Sequence, residues 1–156
     1  MTSHGKPAIT AALQALLDRE AIHDVLLRYA RGVDRKDLDL VASCFTPDAA
    51  YEGALGTDTV ATALASLRDA MARYEGTLHF IGNQLIELSG DSARSETYAI
   101  AYHRLSIDGA ASLFTVGVRY LDDLARHAER WLIHRRVVKT EWQRTEALGS
   151  SPGPNP

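Results

Sequence analysis

A single cysteine stands among the 156 residues, which excludes an intramolecular disulfide and a thiolate zinc centre. Cys44 lies in the apolar helical run Leu38-Asp-Leu-Val-Ala-Ser-Cys-Phe45, without cations in the run, and reads as a buried structural thiol rather than a nucleophile. No apolar stretch approaches the ~20 residues of a membrane span. The opening Met1-Thr-Ser-His-Gly-Lys-Pro7 has no apolar core of a signal peptide, so a cytoplasmic location is the default expectation. Basic residues are not in excess: 17 Lys and Arg against 20 Asp and Glu give a net charge of −3, with no basic cluster. That balance argues against nucleic acid or an anionic membrane as partner. No internal repeat is present. What remains is ordinary for a folded domain, 46% apolar and 24% charged. A chain of this length forms one domain that buries about two thirds of its unfolded surface.

The first half has helical periodicity. Residues 1–7 read as a frayed arm, and from Ala8 to Val33 apolar residues recur at Leu13, Leu16, Leu17, Ile22, Val25, Leu26, Tyr29 and Val33. Asp18 is placed to cap a second segment, so one helix or two is left open. Asp37 is expected to cap a short helix through Phe45, ended by Pro47 and Asp48. Ala49–Gly53 reads as a short strand. Thr57 or Asp58 then caps a helix to about Tyr74, with Val60, Leu64, Leu67 and Met71 on one face.

The second half alternates instead. Leu78–Leu88, Ala93–Leu105, Ser112–Leu124 and Trp131–Trp142 read as four long strands, separated by Ser89-Gly-Asp91, Asp108-Gly109 and the polar stretch 125–130. Helices first and antiparallel strands second predict an α+β fold, with the helices packed on one face of a curved sheet that encloses a pocket. The domain is expected over residues 8–144, with a Gly-, Ser- and Pro-rich disordered tail from Thr145 to Pro156.

One acid stands out. Asp34 follows Gly32 where the first helix runs out, and a carboxylate at the negative end of a helix dipole costs a few tenths to ~1 kcal/mol. Its proposed partner is His79 in Thr77-Leu-His-Phe-Ile-Gly-Asn83. A carboxylate fixes the tautomer of a histidine and stabilises its imidazolium, which makes the ring a usable base.

The order of three helices and a long antiparallel sheet resembles the NTF2-like superfamily. Within it, the chain is most similar to the SnoaL-like branch, with its scytalone dehydratase, bile acid 7α-dehydratase and hexachlorocyclohexane dehydrochlorinase types. The resemblance runs from about Leu16 to Trp142. It is carried by Val33–Asp37, Leu78–Gly82, Tyr102–Leu105, Arg119–Asp122 and Trp131–Arg136. It implies the NTF2-like cone, a lyase working without metal or cofactor on a small molecule, and dimers or trimers formed through the convex sheet face. Residue by residue, Asp34 and His79 match the shared Asp–His pair. Tyr29 matches a tyrosine of the bile acid type, and Tyr51 one that polarises the substrate carbonyl in the scytalone type. Arg136 falls where the dehydrochlorinase type assists its leaving group, and Lys139 near a cation of the bile acid type. Val33 replaces a second tyrosine of the scytalone type, whose second catalytic histidine would fall near Gly109.

The candidate catalytic residues are therefore His79, Asp34, Tyr29, Tyr51 and Arg136. Asn83, His103, Thr115, Arg119 and Lys139 are candidate substrate contacts. Strict alternation would put Asn83 on the face of His79. Adjacent Arg135 and Arg136 must point to opposite faces, and Asp122-Asp123 reads as a solvated strand end. His4, His23, His127 and His134 read as surface residues. A metal site from Asp34, His79 and His103 is a minor alternative, since the three come from distant segments. The expected activity is a dehydratase-type elimination begun by removal of a carbon-bound proton from a mostly apolar, cyclic substrate. The same base with no leaving group gives an isomerase or cyclase. A non-catalytic ligand-binding protein is the rival from another class.

Overall fold

The computed structural model describes residues 6–149. Helix α1 spans Lys6–Asp34 without interruption, followed by α2 (Leu38–Ala42), strands β1 (Phe45–Gly53) and β2 (Gly56–Thr59), and α3 (Val60–Arg73). Four long strands complete the chain: β3 (Gly76–Ser89), β4 (Ser92–Ile107), β5 (Ala110–His127) and β6 (Arg130–Ala147). They form one six-stranded sheet in the order β2-β1-β6-β5-β4-β3. All pairings are antiparallel except β1 with β6, which run parallel. The sheet is open and curved, the helices cover its inner face, and the α+β cone expected from the residue pattern is the fold found.

The boundaries differ in instructive ways. Asp18 is not a cap; it sits inside α1, where its carboxylate accepts from Trp131 Nε1 at 3.2 Å and pairs with Arg126 at 2.8 Å. Burial of α1 begins there. Ile22, Val25, Leu26, Tyr29 and Val33 are buried, whereas Leu13, Leu16 and Leu17 are more than half exposed. Asp37 does cap α2, accepting from Leu40 N at 2.9 Å, but the helix ends at Ala42 and β1 begins at Phe45, so Pro47 lies within a strand. The short β2 escaped notice because its four residues are all exposed and give no alternation. Thr59 caps α3, rather than Thr57 or Asp58. Thr145 to Ala147 are not tail but the end of β6, paired with Ser112–Phe114. The rest of the expected tail from Ser150, and residues 1–5 of the expected arm, lie outside the described residues.

The end of α1 positions the site. Lys36 takes a left-handed φ of 58°, and its N–H bonds Val33 O while that of Asp37 bonds Gly32 O. This double closure is a Schellman ending, and most helices place glycine at that position. Here the lysine side chain crosses to Tyr74 O at 2.9 Å, tying the end of α1 to the end of α3. Gly32 lets α2 come close: a Cβ there would meet Val41 Cγ2 at 2.8 Å.

Bulges set which side chains face inward. Between Ile81 and Gln84, β3 carries one residue more than β4, and β6 carries one extra residue opposite Asp123/Leu124 and another opposite Gly117/Val118. Each extra residue flips the alternation beyond it. The outer face of the sheet exposes Leu78, Phe80, Leu85, Tyr98 and Trp142. Among the described residues no helix is long and apolar enough to cross a membrane.

Candidate active site

Between the sheet's inner face, the last turns of α1 and helix α3 lies a cavity of about 240 Å³. Tyr29 and Val33 reach it from α1, Tyr51 from β1, Leu67 and Met71 from α3, and Thr77 and His79 from β3. Ala101 and His103 of β4, Phe114 to Tyr120 of β5 in alternation, and Val138, Thr140 and Gln143 of β6 complete the wall. Alanines and valines on the central strands are what leave this space open.

Asp34 and His79 meet here. His79 Nδ1 lies 2.7 Å from Asp34 Oδ1, the His79 backbone N–H donates to Oδ2 at 2.9 Å, and Thr77 Oγ1 donates to Oδ1 at 2.9 Å. Burial by itself raises the Asp34 carboxyl, but the donors from His79 and Thr77 outweigh it and hold the group below its ordinary value of 3.8. A carboxylate accepts only, so the ring carries a proton on Nδ1, and in the neutral tautomer of this geometry the lone pair is on Nε2. A depressed carboxyl stabilises the fold wherever it is ionised. The stability advantage of the wild type over Asp34→Asn should therefore be complete above pH 3.8. It should shrink as pH falls below that value, and urea titrations at pH 7 and pH 3 measure it.

His103 stands beside the dyad, its ring centroid 5.9 Å from that of His79 and edge-on to it. Tyr74 and Phe114 flank it at 4.6 and 5.3 Å. Burial, then the neighbouring His79, lower its pKa from 6.5, so the ring is neutral at pH 7. Its Nδ1 lies 3.3 Å from Phe114 O, an acceptor, which assigns the proton to Nδ1 and again leaves Nε2 free. Gly109 is the exposed tip of the β4–β5 turn, and His103 is the second histidine on the cavity wall, beside the dyad. Among the described residues no group of three metal-type ligands converges.

Tyr29 and Tyr51 both line the cavity, joined by Tyr120. Burial raises all three phenols above 10, so they are neutral hydrogen-bond donors at pH 7. Tyr120 was legible only as part of the Arg119–Asp122 segment, because nothing local marks which residue of a strand points inward.

Five candidates fall elsewhere. Arg136 is wholly buried and does not line the cavity; its Nε and Nη2 bond both oxygens of Asp122 at 2.7 and 2.8 Å. Its guanidinium lies 4.2 Å from the Tyr29 ring centroid and 4.4 Å from that of Tyr120, so it backs the tyrosines rather than meeting a ligand. Asp122 is accordingly no solvated strand end, whereas Arg135 does point the other way, to Glu52 and Asp123. Asn83 lies on the outer face with Phe80 and Trp142, because the bulge after Ile81 breaks the alternation from His79. Arg119 is also on the outer face, paired with Glu96 at 2.9 Å and Glu141 at 2.6 Å, and Lys139 sits opposite it across the strand pair. Thr115 alternates with the cavity-lining Phe114 and Val116 and so turns away; its hydroxyl is buried without a partner. His23 is not a free surface residue, since its Nδ1 meets Gln84 Oε1 at 2.8 Å. His127 and His134 are exposed as expected, and His4 lies outside the described residues. Cys44 is buried, and burial raises its thiol, as a structural cysteine requires.

The chain is similar to proteins known from sequence and structure. An uncharacterized protein of Mycobacterium tuberculosis, Rv2910c, is 29% identical over 123 residues, covering 77% of this chain and 83% of its relative. A candidate scytalone dehydratase from Novosphingobium aromaticivorans superposes with a TM-score of 0.74 at 20% identity, over 83% of this chain and 88% of the other. The hexachlorocyclohexane dehydrochlorinase LinA-type3 from Novosphingobium barchaimii gives 0.74 at 20% identity, over 89% and 95%. At these identities the two structures speak for the fold. The model of the SnoaL-like domain matches residues 14–137, the stretch that holds Asp34, His79 and His103, and the chain belongs to the SnoaL-like family of NTF2-like proteins.

Proposed function

We propose that the chain is an acid–base enzyme of the lyase type, working without a cofactor on a small, mostly apolar, cyclic molecule. The observation that carries this reading is the 2.7 Å contact of His79 Nδ1 with Asp34, made by a histidine on the wall of the cavity. His79 Nε2 takes a proton from a carbon next to an electron-withdrawing group, and the electron pair left on carbon expels a neighbouring hydroxyl. The proton on His79 then joins the departing oxygen, so water leaves and the ring returns to its starting state. Tyr29, Tyr51 and Tyr120 are neutral donors for the oxygen on which charge gathers. His103 Nε2 is an acceptor for a substrate hydroxyl. Without a leaving group, the same base gives isomerisation or cyclisation, and product mass separates the outcomes by one water.

The reaction class is open to test with a generic substrate. 5-Nitrobenzisoxazole is a neutral, flat aromatic whose ring C–H is removed by a base while its N–O bond breaks to a coloured phenolate. The wild type should accelerate this elimination above free imidazole at equal concentration, and His79→Ala should abolish the gain. A His79→Ala variant as fast as the wild type would refute the assignment, and a wild type no faster than imidazole would favour a ligand-binding protein.

A further inference from the structure

We infer that the ligand of this cavity carries an anionic group, a carboxylate or its equivalent, held at the mouth by Arg73; the inference rests on the cavity being the site of the proposed reaction. Among the residues that line the cavity, Arg73 is the one Lys, Arg, Asp or Glu. It stands in the last turn of α3, exposed, directly before Tyr74, whose ring lies 4.6 Å from that of His103. Arg73 is thus an exposed residue of the cavity wall, next in sequence to the ring that flanks His103. A helix C-terminus favours a cation, which accounts for a charge at this position but not for its place on the cavity wall.

The charges around it leave Arg73 uncompensated. It forms no ion pair or hydrogen bond with any described residue, although Asp69 lies one helical turn earlier. Glu75 is taken by Arg104 at 3.1 Å, and Glu146 by Arg144 at 3.3 Å. Asp34 is occupied by His79 and Thr77. Lys36 adds a second cation nearby, its Nζ donating to the Tyr74 carbonyl at 2.9 Å. The interior is the opposite: phenols, alanines, valines and the two imidazoles, with Asp34 behind His79. An anion is disfavoured inside and favoured at the rim. A ligand with an apolar ring system and one anionic end satisfies both, with the end on Arg73 as a charge-assisted, two-pronged contact.

The test compares 2-naphthoate with its neutral methyl ester, followed by the ring signals of His79 and His103 in NMR titrations of the full chain at pH 8. The wild type should bind the carboxylate about tenfold more tightly than the ester. Arg73→Gln should erase that preference and leave the ester's affinity unchanged, whereas Arg94→Gln, on an exposed strand position remote from the mouth, should change neither. Added salt should weaken the carboxylate only. Equal affinities in the wild type, a preference that survives Arg73→Gln, or no movement of the ring signals by 2-naphthoate would each overturn the inference. Its failure is separable from that of the catalytic reading. Equal affinities in the wild type, or a preference that survives Arg73→Gln, with intact elimination of 5-nitrobenzisoxazole would defeat only the role of Arg73. A retained preference with no elimination defeats the lyase and leaves an anion-binding pocket.

Discussion

Asp34→Asn is expected to slow the His79-dependent elimination of 5-nitrobenzisoxazole by roughly 10²–10⁴-fold, while the variant stays folded at neutral pH and still takes up the probe. The carboxylate receives His79 Nδ1, the His79 backbone N–H and the Thr77 hydroxyl. An amide keeps the shape but not the charge. It offers one acceptor oxygen, and its NH₂ group is free to turn toward Nδ1 and favour the opposite tautomer, with the proton on the nitrogen that should be the base. The imidazolium formed after proton transfer also loses its counter-charge. Rate from the phenolate absorbance and affinity from the histidine ring signals separate the two roles of the site. A variant that binds and turns over like the wild type would remove Asp34 from the mechanism.

The second large effect is on stability and concerns Arg136. Asp122→Ala should cost about 3–5 kcal/mol in urea denaturation, because it strands a guanidinium that has no access to water. Arg136 is fully buried, Asp122 bonds it with both oxygens, and its Nη1 already lacks a partner. The double change Asp122→Leu with Arg136→Met should be far milder than the single one, since it removes both charges and fills the space. The guanidinium touches the faces of Tyr29 and Tyr120 and packs within 5.4 Å of the Phe45 ring centroid. Loss of the pair should therefore loosen the tyrosine end of the cavity as well. If Asp122→Ala were as stable as the wild type, the buried pair would not be the anchor described above.

Asp34 was legible as an acid placed against a helix dipole, whereas His79 as its partner rested on the resemblance to the SnoaL-like branch; the 2.7 Å contact joins the two. The helices and four long strands were legible from periodicity, and so was the opposed orientation of Arg135 and Arg136. Which strand residues face the cavity was not. Asn83, two residues past Ile81, would share the face of His79 in a regular strand, and one extra residue in β3 turns it outward. Thr115, Arg119 and Lys139 depend on the register of β5 against β4 and β6, which is set by pairing across the sheet and leaves no local mark. Asp122 looked solvated beside Asp123 because adjacent strand residues differ in burial by face, not by composition. The leucines near the start of α1 fit the apolar stripe, yet Leu13, Leu16 and Leu17 stay more than half exposed. In the sequence Arg73 is one more cation at a helix C-terminus, and only the cavity gives it a further meaning.

The most direct test of the account is the pair of ring ¹⁵N shifts of His79, read at pH 8 in the wild type and in Asp34→Asn. The account predicts a protonated Nδ1 and a bare Nε2 in the wild type, and a redistribution of the proton between the two nitrogens when the carboxylate is neutralised. Identical spectra in the two proteins, or a wild-type ring protonated on Nε2, would contradict it.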